Sequence, residues 1–161
     1  MLVKGGRIID DPFWLAEDGA ALPDGPAIVS LKRFLGEKDA LLARGVPLGV
    51  KLETAESPES LGQDVHKLAA IVLHIPVFRD GRAFSWARIL RTRLGFKGEI
   101  RAVGDFLLDQ MNYQHRVGFD AWEVSDSFTL EQFQRALTEM TNVYQPSADG
   151  RKTIRELRAH S

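Results

Sequence analysis

The stretch Ala69–Ile75, AAIVLHI, decides the fold. It is apolar almost throughout, shows no period-2 alternation, and is too short for a membrane span. A run of this kind suits a strand buried on both faces, as in a parallel sheet whose faces are both covered. Its neighbours extend the pattern. Upstream, AIVSL from Ala27 and VPLGVKLE from Val46 read as two further strands. Between them lies a helical segment at about 32–43, closed by Gly45 as the residue after the helix. SPESLGQDVHKLA then offers Ser57 as a cap and Pro58 at the first helical position.

Downstream, a helix starting at Ser85 and stopping near Gly95 leads into EIRAV, a fourth strand. Gly104-Asp105 opens a helix running to about Arg116, Gly118 ends it, and FDAWEV is a fifth strand. A last helix follows, capped by Ser127 or Thr129. Five strand–helix units predict an α/β domain with a mainly parallel sheet, too few for a closed eight-stranded barrel. The sheet is therefore open or half-barrel-like, the even unit length favouring the curved form, with strand order undetermined. The domain spans 27–145. Residues 1–26 read as an N-terminal hairpin, turning at Gly5-Gly6, and a surface loop held by Phe13 and Trp14. Residues 146–161 read as a flexible basic tail. The edges of such a sheet are where a homo-oligomer would form.

Composition narrows the function. The 161 residues carry no cysteine, which removes disulfides, thiolate metal sites, a cysteine nucleophile and cysteine-held iron–sulfur clusters. The net charge of −1 argues against a dedicated nucleic-acid binder, and no run is long and apolar enough to cross a membrane. A cytoplasmic protein is expected. No GxGxxG, GxxxxGK[ST] or GxSxG context supports a nucleotide cofactor or a serine hydrolase. His66, His74, His115 and His160 lack HxH or HxxxH spacing, so neither metal nor cofactor is expected.

Charge is instead gathered locally. Between Arg79 and Arg101 stand seven basic residues (Arg79, Arg82, Arg88, Arg91, Arg93, Lys97, Arg101) and two acidic ones (Asp80, Glu99). Arg79, Asp80, Gly81, Arg82 and Ser85 form a turn entering a helix, where free N–H groups and guanidinium forks suit an oxyanion or an acidic partner surface. Arg88 and Arg91, three residues apart, share a helix face. Arg101, on a central strand, needs a carboxylate, with Asp105, Asp109 and Glu123 as candidates.

Ligands of parallel α/β sheets bind beyond the carboxyl ends of the strands. That edge gathers Lys51 and Glu53, His74, Arg82, and Gly104 with Asp105. Lys51, His74 and Asp105 are the candidate acid–base residues. Arg101, Gly104, Asp109 and Gln110 are expected to support the anion- or partner-binding residues.

The pattern carried by Phe78, Asp80-Gly81-Arg82, Ser85, Ala87-Arg88, Leu90-Arg91, Gly98-Glu99, Arg101-Ala102, Gly104-Asp105, Asp109-Gln110 and Gly118-Phe119-Asp120-Ala121 resembles a bacterial family known as domain of unknown function 934. The resemblance covers about Leu48 to Tyr144. One departure is Val117 in His115-Arg116-Val117-Gly118, where the family pattern has cysteine, so no thiol acts there. Members of the family tend to be encoded beside assimilatory sulfite reductase and carry the label of oxidoreductase. The resemblance thus implies a place in sulfur assimilation, with sulfite reductase or another protein of that pathway as partner. Without cysteine or a flavin or nicotinamide fingerprint, an independent redox enzyme is the weaker reading. An accessory protein binding an oxyanion or an acidic partner is the leading expectation. A small lyase or transferase acting on an anionic metabolite is the alternative, and whether the chain is an enzyme stays open.

Overall fold

The computed structural model describes residues 1–5, 7–77, 79–106 and 110–124, with 129, 131, 132, 134 and 135. Phe78, Asp109 and Ser127, most of the last helix and the basic tail lie outside the described residues. In chain order the elements are β1 (Leu2–Lys4), β2 (Arg7–Ile9), β3 (Trp14–Leu15), β4 (Ala27–Ser30), α1 (Leu31–Leu42), β5 (Leu48–Leu52), a 3₁₀ segment (Pro58–Lys67), β6 (Ala70–Ile75), α2 (Arg82–Thr92), β7 (Glu99–Gly104), α3 (Met111–Val117) and β8 (Ala121–Glu123).

All five expected strands form, and they pair in parallel in the order in which they occur. The expectation of five βα units needs correction. The sheet has eight strands of mixed orientation, ordered β2-β1-β8-β7-β6-β5-β4-β3. The N-terminal hairpin is present as β1 and β2, and β1 pairs antiparallel with β8. The loop after it adds β3, parallel to β4 at the other edge. One connection is not an α-helix: Gly62, at φ +54°, breaks the segment Pro58–Lys67 into 3₁₀ turns, although Ser57 caps its start through Glu59 N–H as expected.

Because each parallel crossover advances one strand in the same direction, right-handed connections put the helices on one face. The register confirms it. Val29, Val50, Ile71 and Ile100 form one row across the sheet, and Leu52, Leu73, Ala102 and Trp122 the next. Both rows belong to the buried core, with Phe34 and Leu41 of α1, Ala83, Ala87 and Leu90 of α2, and Met111 and Val117 of α3. Alternation sends Lys51, Val72, His74, Glu99, Arg101 and Lys4 to the other face, which is helix-free among the described residues.

The sheet is open and strongly curled, a half-barrel. Eight flat strands would span about 34 Å at ~4.8 Å per interval. Yet only residues 10–13 join β2 at one edge to β3 at the other. A link from Ile9 to Trp14 reaches at most about 18 Å. The edges must therefore bend toward each other, and residues 10–13 cross the helix-free side like a strap.

Two helix boundaries differ from expectation. α2 begins at Arg82, not Ser85, with Gly81 as its cap residue, and ends at Thr92. The bond from Arg82 N–H to Asp80 Oδ1 holds the turn just ahead of it. Gly104 is the last residue of β7 and α3 begins at Met111, while residues 107–109 between them lie outside the described residues. Gly118, at φ +128°, ends that helix as expected. Near Thr129, the expected cap is made: Gln132 N–H donates to Thr129 Oγ1 at 3.2 Å and Thr129 N–H to Gln132 Oε1 at 3.0 Å.

Candidate functional site

The helix-free face carries two charged groups. At its centre Arg101, 1% exposed, donates from Nε to Glu99 Oε1 at 2.9 Å and from its two terminal nitrogens to Asp11 at 2.7 and 3.1 Å. Lys4 Nζ completes the chain at 2.8 Å from Glu99 Oε2. Phe13 of the strap lies 5.8 Å from the guanidinium. Burial works against the Arg101 charge, but hydrogen bonds and attraction from Asp11 and Glu99 outweigh it and move its pKa above the usual value. The carboxylates that satisfy Arg101 are thus Glu99 and Asp11, instead of Asp105 or Glu123; Asp109 lies outside the described residues. Glu99 was legible as a same-face neighbour two residues away. Asp11 lies 90 residues distant, and nothing local signals it.

At the carboxyl ends of β5 and β6 lies the second group. Lys51 and Glu53 share a face, with Nζ 3.7 Å from Oε1, and Glu53 Oε2 stands 2.5 Å from His74 Nδ1. The carboxylate selects the tautomer with the proton on Nδ1, which leaves Nε2 as an acceptor. All three side chains are at least partly accessible to solvent. The site is braced from behind: buried Thr54 donates to the His74 carbonyl at 3.3 Å, and Trp86 of α2 donates to the Thr54 carbonyl at 3.0 Å. Gly104 and Asp105 adjoin it. Asp105 N–H donates to the Ile75 carbonyl at 2.7 Å, and its side chain is exposed.

Of the residues expected at the strand ends, Lys51, Glu53 and His74 are therefore brought into contact. Arg82 is held by Asp80 instead, through Nε at 3.2 Å and a terminal nitrogen at 2.9 Å. Asp80 is held below the usual carboxylate range by the Arg82 side chain first and its backbone N–H second.

The seven bases do not form one surface. Arg91 turns inward: its guanidinium donates to the carbonyls of Phe96, Gly98 and Gly118 and to Asp120 Oδ2 at 2.5 Å. Arg93 pairs with Glu59. Arg79, Arg82, Ser85 and Arg88 are exposed around the start and outer side of α2. Arg88 and Arg91, though three residues apart, thus serve different surroundings. Gln110 is half-buried ahead of α3. Among the described residues no three or more His, Asp or Glu side chains are placed to hold a metal ion, and no helix is long and apolar enough to cross a membrane.

A singly wound α/β half-barrel with a charged inner face that bears no helix among the described residues, and a Lys–Glu–His cluster at the carboxyl edge of its strands, is the class of protein that these features define. The chain belongs to the family described as "Bacterial protein of unknown function (DUF934)", whose model matches residues 49–155. That span takes in β5 but for Leu48, β6 to β8 and the Lys51–Glu53–His74 cluster, while the strap bearing Asp11 precedes it. No curated protein matches the chain.

Proposed function

We propose that this is a cytoplasmic accessory protein of assimilatory sulfur metabolism that binds a small oxyanion at the carboxyl edge of β5 and β6. The observation that carries the binding half is the Lys51–Glu53–His74 cluster. Lys51 lies beyond hydrogen-bond distance of Glu53, so its N–H donors are available to a ligand. His74, oriented by Glu53, adds a second polar group on the same face. The pathway half rests on the family and the company its members keep. An acidic surface of a partner such as sulfite reductase is accommodated by the exposed Arg79, Arg82 and Arg88 at the start of α2.

The first test is a thermal-shift series at constant ionic strength with sulfate, sulfite and phosphate, chloride serving as control. A ligand at 100 times its dissociation constant stabilises by about 2.7 kcal/mol, a shift of several degrees for a chain of this size. A selective shift that Lys51→Ala removes supports the site. Equal shifts in both proteins count against it.

One observation favours a second reading, a small lyase or transferase acting on an anionic metabolite. In the His74–Glu53 pair the carboxylate holds Nδ1 and leaves Nε2 as the ring atom available to exchange a proton with a substrate. Lys51 would then hold the anion, while Asp105 stands nearby as a further carboxylate. In that case His74→Gln removes turnover while oxyanion binding persists. As an accessory protein, the chain loses binding and nothing else.

A further inference from the structure

At the opposite, amino end of the strands an open cleft of about 560 Å³ runs between the strap and the sheet. Its size falls within the range of small-molecule sites. Pro12 and Phe13 of the strap form one wall, and Pro26 and Pro47, which precede β4 and β5, extend it. Prolines bring no N–H, and the Pro26 and Pro47 carbonyls already accept from Trp14 and Ala27. This wall is therefore apolar and offers a flat ring surface in Phe13.

The charges around the cleft decide what it suits. Glu99 is taken by Lys4 and Arg101, and Arg101 in turn by Asp11. Asp120 is taken by Arg91 and by the Ile100 N–H. Each carboxylate bordering the cleft is thus balanced within the protein. Lys97, exposed on the rim, has no partner among the described residues and is the charge left over.

We propose that this cleft is a second ligand site, distinct from the carboxyl edge, for a small planar aromatic carboxylate. The ring lies against Phe13 and the prolines, and the carboxylate meets Lys97. A cationic ligand finds no free carboxylate there, and an anion without a ring leaves the apolar wall in water.

Benzoate is the probe, followed by amide NMR on the full chain, with acetate and benzylammonium as controls. Saturable shifts at Phe13, Lys97 and Gly98, with Lys51 and His74 unmoved, are expected from benzoate alone. Loss of a charge-assisted contact predicts that Lys97→Glu weakens benzoate by about tenfold or more, while Lys97→Arg retains it. Because Lys97 is exposed, neither change threatens folding. The proposal is overturned if benzoate leaves these amides unshifted, if benzylammonium binds equally well, or if Lys97→Glu matches the wild type. The oxyanion reading fails or stands separately, at Lys51 and His74.

Discussion

Asp11 and Arg101, 90 residues apart, are joined by two hydrogen bonds at 2.7 and 3.1 Å that pin the N-terminal strap to the centre of the curled sheet. The arginine is buried, while the Asp11 side chain is 38% exposed. Removing one partner of a fully buried pair costs roughly 3–5 kcal/mol, because the other charge is stranded. Glu99 and water offset part of that loss here, so Asp11→Ala should cost about 2–3 kcal/mol in urea denaturation. In the Arg101→Met background the same change should cost much less, since no buried cation then needs the carboxylate. An Asp11→Ala protein within about 0.5 kcal/mol of wild type would show that the strap is not held by this pair.

Arg91 and Arg88 should separate cleanly. Arg91 satisfies three backbone carbonyls and Asp120, and its side chain passes where a Cβ on Gly118 would sit, 2.6 Å from Arg91 Cγ. Arg91→Ala strands these acceptors and is expected to cost about 2–3 kcal/mol. Arg88 is exposed, and Arg88→Ala should stay within about 0.5 kcal/mol. Parallel urea curves decide this, and equal midpoints for the two variants would contradict it.

Gly104 closes β7 beside His74 with φ at +111°, and a Cβ there would lie 2.2 Å from the Ile75 carbonyl oxygen. Backbone cannot retreat as a flexible side chain can, and L-residues rarely adopt this φ. Gly104→Ala should therefore cost on the order of 2–4 kcal/mol and displace His74, whose Cδ2 lies 3.0 Å from the same point. Denaturation midpoints and the His74 ring resonances report the two effects. A fully stable Gly104→Ala protein with unchanged His74 signals would rule out this geometry.

The Arg82–Asp80 contact makes a prediction in pH. Arg82 holds the folded-state pKa of Asp80 below the usual carboxylate value, so Asp80 contributes stability above its unfolded pKa. That contribution fades as pH falls through the lower, folded value. In a carbon-detected NMR titration Asp80 should titrate below free aspartate. Arg82→Ala should move it upward, but not fully, since the residue-82 N–H still donates to Asp80 Oδ1. No difference between the two proteins would mean that the ion pair does not persist in solution.

The sequence made the five parallel strands legible because each is a short apolar run bounded by glycine, proline or charge. Period-2 alternation also placed Lys51 and Glu53 together; the same alternation sets Glu99 beside Arg101, a partner that the expectation of Asp105, Asp109 or Glu123 missed. What it could not convey was long-range closure. β1 and β3 are three and two residues long, too short for a periodic signal, and their places at or near opposite edges depend on pairings with β8 and β4. The partner of Arg101 is supplied by that closure, so nothing near Arg101 identifies Asp11. The dispersal of the arginines has a related cause. Spacing of three puts Arg88 and Arg91 on neighbouring parts of a helix, but carbonyls from the loops before β7 and β8 draw Arg91 inward. Helix periodicity contains no information about those loops.

The central claim, an oxyanion site at the carboxyl edge, is tested most directly by calorimetric titration of sulfite at constant ionic strength into wild type, Lys51→Ala and Arg88→Ala. The account predicts saturable binding to wild type and Arg88→Ala, weakened by about tenfold or more in Lys51→Ala. Absence of saturable binding to wild type, or equal affinity in all three proteins, would contradict it.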